Sequence, residues 1–224
     1  MYSFIGFTWN PIKGSCIHEC NYCFASSIRH RFRQDSTLRL TEKDLRTPLG
    51  KGRQIFVGSS IDMFAPNIPA EWLQRTFDHI AEYPENEYLL QSKNPERFHE
   101  FLWHPIFAEG AKNILFCTTI ESDIDYPEVS KAPAISERID AMKRLSSMGY
   151  KTMVTVEPIL AFTSPENFSR LLASLSEVVN IGANSSQSVK LPEPSKEDVL
   201  ELIQQLEKLG ITVNIKSTLN RIIL

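Results

Sequence analysis

The chain has no stretch approaching the roughly 18 consecutive apolar residues of a membrane span, and its start lacks the basic region and apolar run of a secretory signal. These absences lead us to expect a cytoplasmic protein with no membrane partner. Low-complexity tracts are missing as well. The 13 prolines and 9 glycines are scattered as punctuation through 224 residues, so disorder beyond short loops is not expected. Positive charge is not in excess: a net charge of −3 gives no global case for binding nucleic acid. Cysteine is scarce, with four in all. In a cytosolic chain, metal or cluster binding by such residues outranks a disulfide.

The length fits one domain, 1–224, around a single core, and the 42% apolar content is ordinary for a globular protein. Charge is unevenly divided. Residues 1–53 hold nine Lys and Arg against four acids, a net +5, which leaves −8 for the remainder. A basic segment of this kind suits a polyanion or a small carboxylate, or it is a solvated face.

Short β-rich runs alternate with amphipathic stretches every 25–35 residues or so, the pattern of parallel βαβ units. Strands are expected over 4–8, 54–57, 87–91, 113–118, 151–156, 178–181 and 211–215, with helices over 23–33, 70–83, 95–103, 135–148, 165–175 and 195–209. Ile135, Ile139, Met142, Leu145 and Met148 form a core stripe closed by Gly149. Ser195 and Asp198 open a second helix, which Gly210 ends. Six or seven such units imply an α/β fold, a partial (βα)6-type TIM barrel with a possible seventh strand. Its active site is then expected in the loops after the strand ends: 10–23, 58–66, 92–94, 119–130, 157–162 and 182–188.

Three of the four cysteines fall within eight residues, Cys16, Cys20 and Cys23. Spacings of four and three allow a thiol stripe on one helical face. Asn10, Pro11 and Gly14 upstream favour a loop around a metal centre instead. Three thiolates hold three irons of a [4Fe–4S] cluster and leave the fourth open. A zinc ion with His18 as fourth ligand is the competing assignment.

The run Cys16, Cys20, Tyr22, Cys23 after a first strand resembles the signature loop of the radical S-adenosylmethionine (SAM) superfamily. That resemblance implies a [4Fe–4S] cluster on the three cysteines, SAM on the open iron, Tyr22 near the adenine, and a flavodoxin- or ferredoxin-type electron donor. It also implies the chemistry of a 5′-deoxyadenosyl radical that abstracts hydrogen. Phe7-Thr8-Trp9-Asn10-Pro11, Gly14 and Cys23-Phe24-Ala25 resemble more narrowly the phage Gp37/Gp68-type, DUF5131-like proteins. Their usual form has Gly directly before the first cysteine, where Ser15 stands here. A further resemblance, to spore photoproduct lyase, rests on Gly58-Ser59-Ser60-Ile61-Asp62, on Gln91-Ser92-Lys93-Asn94, and on Glu137-Arg138-Ile139 leading through Gly149-Tyr150-Lys151 to Glu157-Pro158-Ile159.

Ser59, Ser60 and Asp62 can meet an ammonium or ribose, and the resemblance implies that this turn receives the SAM amino group. Lys93 is expected to offset the SAM carboxylate. Thr119 and Glu121, flanked by Thr118 and Ser122, fall where the superfamily binds ribose. Glu157, held extended before Pro158, is aimed across the mouth, and Asn184, Ser185 and Ser186 close the ring. Cys117 is a candidate hydrogen donor or, within an apolar run, a buried core residue. The favoured substrate class is DNA or RNA, from the basic first quarter, where His30 and Phe32 lie among Arg29, Arg31 and Arg33, and from the likeness to a DNA-lesion lyase. A zinc- or cluster-stabilised nucleic-acid-binding module without SAM chemistry, and radical modification of a peptide or small molecule, remain the alternatives.

Overall fold

The structure, a computed structural model, describes residues 2–108, 112–185 and 189–224. Strand β1 (Phe7–Trp9) is followed by a small antiparallel ribbon of β2 (Ile12–Lys13) and β3 (Arg39–Leu40). Next come β4 (Gln54–Val57), β5 (Glu87–Ser92), β6 (Ile114–Thr119), β7 (Lys151–Val156), β8 (Val178–Ile181) and β9 (Thr212–Ile215). Apart from the ribbon, these strands form one sheet in the order β1-β4-β5-β6-β7-β8-β9, every neighbouring pair parallel. Parallel neighbours in chain order require a crossover each time. Helices α1 (Phe24–Arg31) and α2 (Glu42–Leu45) precede β4, and α3 (Ala70–Ala81), α4 (Ile135–Ser147), α5 (Pro165–Ala173) and α6 (Lys196–Lys208) supply later crossovers, while α7 (Asn220–Ile223) follows β9. A winding without reversal is that of a (βα) barrel. Because β1 and β9 each have one neighbour, the barrel is open, and the seventh strand is present.

The central strands are buried on both faces, as parallel sheets are. Helices α4 and α6 show why these segments are helical. Ile135, Ala141, Met142 and Leu145 line one side of α4, and Val199, Leu202, Ile203 and Leu206 one side of α6. Each such burial of a Val, Leu, Ile or Met side chain stabilises by about 1.5–3 kcal/mol. The Ser195 side chain accepts from the Asp198 amide at 3.1 Å and caps α6. On the sheet's concave side lies a second, small cluster of Tyr2, Leu89, Cys117 and Met153, with Phe4, Ile5 and Phe56 against it.

Two elements differ from expectation. The first strand begins at Phe7, not residue 4, because Tyr2, Phe4 and Ile5 fill the concave cluster and sheet bonding starts with Gly6 N donating to Gln54 O at 3.2 Å. Residues 95–101 form a 3-10 helix, not an α-helix. Buried Arg97 is drawn onto the carbonyls of Ala65 and Ile68 while Phe98 and Phe101 enter the core, which holds the backbone in the tighter turn. Among the described residues, no helix is long and apolar enough to cross a membrane.

Candidate functional site

The loop after β1 carries the three clustered cysteines. Its start is pinned by the β2–β3 ribbon, where Gly14 (φ 125°) passes so close to the facing chain that a Cβ would lie 2.6 Å from the Leu38 Cα. Only glycine fits there. Cys16, Cys20 and Cys23 are free, half-buried, and line one cleft of about 830 Å³ at the carboxyl ends of the strands. Cys16 and Cys20 sit in irregular loop and Cys23 is the N-cap of α1, so the thiols do not form a stripe along a helix.

Each sulfur has a polar neighbour. Ser26 N donates to Cys23 Sγ at 3.4 Å, Ser130 Oγ lies 3.1 Å from Cys20 Sγ, and the backbone of His18 and Asp62 lies near enough to Cys16 to favour its thiolate. Donors to sulfur are what cluster-ligating thiolates receive from their surroundings. Burial, with Asp62 nearby, pushes the Cys16 thiol up to about 12, so iron binding there must release a proton. Among the described residues no three His, Cys, Asp or Glu gather as a site for a single metal ion. His18 is 2% exposed and turns its Nε2 onto Asp62 at 3.0 Å.

Asp62 ties the loops of this wall together. Its carboxylate accepts from Ser92 Oγ (2.8 Å), Lys93 N (2.8 Å) and Phe64 N (3.0 Å) and pairs with His18. Burial alone raises its pKa, but the hydrogen bond and charge of His18, with the donors from β5, hold it below the ordinary carboxylate value. Gly58 (φ 77°) turns the chain out of β4, and the turn is fastened by Asn10 Oδ1, which accepts from Ser60 N at 2.9 Å and Ser59 Oγ at 3.2 Å. Ser59, Ser60, Asp62, Lys93 and Thr119 therefore all line the cleft with the cysteines.

Tyr22 and Glu121 lie beneath that wall, in a buried network. Glu121 accepts from the Tyr22 hydroxyl, Lys93 Nζ and Arg138 Nη1, the last at 2.7 Å. Burial favours the neutral acid, yet Lys93 and Arg138 outweigh it and hold Glu121 at about 2. The Lys93 ammonium also stands 5.2 Å from the Tyr22 ring centre. Arg138 was not among the expected site residues. Its signal was present: it is an arginine three residues after Ile135 on the buried stripe of α4, and a charge on an apolar face needs a buried partner.

The remaining candidates stand apart from the cleft. Glu157 pairs with Lys216, which sits 4.3 Å from the Tyr2 ring centre. Cys117 is fully buried beside Tyr2, its thiol pushed up to about 12 by burial, with the two side chains 3.9 Å apart. Thr118 and Ser122 spend their hydroxyls on the carbonyls of Ser92 and Ala161. Asn184 donates to Val189 O at 3.0 Å, Ser185 is exposed, and Ser186 lies outside the described residues, as does the end of the 182–188 loop.

The model of the family described as "Protein of unknown function (DUF5131)" matches residues 2–195. No curated protein sequence matches the chain. Among solved structures, a mutant spore photoproduct lyase with bound S-adenosylmethionine and dinucleoside spore photoproduct is similar over 93% of this chain and 75% of that one, with a TM-score of 0.64 and 10% identity. SuiB from Streptococcus suis, bound to S-adenosylmethionine, is similar over 94% of this chain and 47% of that one, with a TM-score of 0.57 and 10% identity. At such identities the likeness shows a shared fold.

Proposed function

The chain belongs to the DUF5131 family, and we propose that it is a radical SAM enzyme acting on DNA or RNA, with residues 1–224 as one catalytic unit in the cytoplasm. The observation that carries this reading is that three free cysteines line one cleft together with the strand-end groups of β4, β5 and β6. In it Cys16, Cys20 and Cys23 hold a [4Fe–4S] cluster and leave one iron open. When bound, the reduced cluster and SAM supply a 5′-deoxyadenosyl radical for hydrogen abstraction.

The chain's own residues bind and orient. Ser59 and Ser60 offer hydroxyls to the SAM amino group or ribose, at a turn that Asn10 holds rigid. Lys93 faces the cleft as the counter-charge to a carboxylate, aimed by Glu121 and Tyr22 behind it. Thr119 contributes a hydroxyl from the end of β6. Asp62 and Glu121 support the site by position, since their oxygens are already engaged. Glu157 contributes from the far rim through its pair with Lys216. An external reductant of flavodoxin or ferredoxin type delivers the electron. The basic first quarter of the chain supports a nucleic-acid substrate, as does the dinucleoside bound by the structurally similar lyase.

Anaerobic reconstitution tests the reading. It is expected to give about four irons with matching sulfide per chain, and dithionite with SAM is expected to yield 5′-deoxyadenosine, which Cys20→Ala abolishes. One zinc without iron per chain contradicts it and favours a binding module.

A further inference from the structure

Helix α1 buries none of its residues, an arrangement that leaves its place in the fold unexplained by packing. Its cleft side is accounted for: Ser26, Arg29 and His30 line the site, and Arg29 donates to Ser60 O at 2.9 Å. The outer side carries Phe24 and Phe32, 66% and 64% exposed, with Arg31 at 5.7 Å from the Phe32 ring centre and Arg33 just beyond. Phe24, Arg31 and Phe32 are seven and eight residues apart, about two turns and ~12 Å, so they share one side of the helix. The nearby acids are already matched, Asp35 by Arg39 and Glu19 by Lys131. Among the described residues no carboxylate pairs with Arg29, Arg31 or Arg33, which leaves uncompensated positive charge along the helix, with Arg31 and Arg33 on either side of the Phe32 ring in sequence.

We propose that the outer side of α1 is a docking surface for single-stranded nucleic acid, on which bases stack on Phe24 and Phe32 while Arg31 and Arg33 meet phosphates, leading the strand into the adjacent cleft. This inference rests on the nucleic-acid reading above and names the surface through which it acts. Aromatic rings interleaved with cations are the combination that holds single strands, since every base has a face to stack and every nucleotide a charge. Charge alone also suits an acidic electron-carrier protein. The two unburied phenylalanines decide for bases, because burying an isolated aromatic ring against a carrier's acidic surface leaves its apolar face without a match.

The test uses the full chain without its cofactors and a fluorescent oligothymidylate of about twelve nucleotides, titrated by anisotropy from about 50 mM salt upward. Binding is expected to weaken with salt by about 0.7 in log affinity per log salt for each phosphate met, and Arg31→Gln with Arg33→Gln is expected to remove about 1.4 from that slope. Phe32→Ala is expected to weaken binding about fivefold or more without lowering the melting temperature, since the ring is exposed. The surface is refuted if the oligonucleotide does not bind at the lowest salt, or binds equally well to the variants. It is equally refuted if, in the cluster-reconstituted protein, the variants raise the KM for a flavodoxin reductant and leave oligonucleotide affinity unchanged. Dithionite-driven SAM cleavage reports separately on the enzymatic reading. Its failure with salt-dependent binding intact sinks the chemistry and spares the surface, and the opposite pair of results does the reverse.

Discussion

Helices α1 and α6 adjoin opposite ends of the strand order, next to β1 and β9, and are held by different forces. Four apolar side chains of α6 are buried against α5 and the sheet, whereas α1 buries none and depends on the Cys23 cap and the Arg29 bond to Ser60. The same contrast extends inward. The cysteine side of the mouth is organised by two multiply hydrogen-bonded carboxylates, half-buried Asp62 and buried Glu121, each serving several loops, while the α5–α6 side is organised by apolar packing. Polar ties fix direction as well as position, and a site that must orient ligands needs both. Apolar packing supplies stability without that precision of aim.

Breaking a polar tie should give the largest effect. Glu121→Gln leaves Lys93 and Arg138 without their shared counter-charge, and a loss of about 3–5 kcal/mol is expected in denaturant melts. Acid should expose the same tie. The folded Glu121 carboxyl sits at about 2, below its unfolded value of about 4.3, so its contribution is complete above the unfolded value and is lost as pH falls toward the folded one. The difference amounts to roughly 3 kcal/mol. Hydrogen exchange should therefore loosen around Tyr22 and β6 between about pH 4.5 and 2.5 before it does around α6. Simultaneous loosening of both sides contradicts the contrast.

Next in size is the packed side. Leu202→Ala, at a fully buried position of α6, should cost about 2–5 kcal/mol while SAM cleavage by the folded fraction stays at the wild-type rate. Asp62→Asn is expected to cost about 1–3 kcal/mol through its weakened bonds to His18 and Lys93. Unlike Leu202→Ala, it should lower the iron retained per chain after gel filtration. Smallest of all is Phe32→Ala, expected to change stability by less than about 0.5 kcal/mol. A larger change means that α1 is packed after all.

The packed side was the more legible from sequence. Periodicity placed β4, β7 and β8 at their observed limits, and the stripes of α4 and α6 with their terminal glycines marked those helices to within a residue or two. Alternation carries this information locally, in windows shorter than the elements themselves. It misled where an apolar run had another use, as at Phe4 and Ile5, which join the small second cluster, and at 95–101, where buried Arg97 and the core phenylalanines accompany a 3-10 helix. The ribbon of β2 and β3, with two residues in each strand, is too short to show a period.

On the polar side, the motif picked out Cys16, Cys20 and Cys23, and strand-end reasoning picked out Ser59, Ser60, Lys93 and Thr119, which line the same cleft. The wiring was not readable. Asp62 meets His18 across 44 residues, and Tyr22 meets Glu121 across 99. No local pattern encodes such a partnership, so the two carboxylates looked like open ligands when their oxygens are in fact engaged by the protein.

The most direct test of the central claim is the electron paramagnetic resonance spectrum of the dithionite-reduced, reconstituted protein before and after SAM is added. The account predicts a reduced-cluster signal whose g-values shift with SAM, because one iron has no protein ligand. A signal indifferent to SAM, or zinc in place of any cluster, contradicts it.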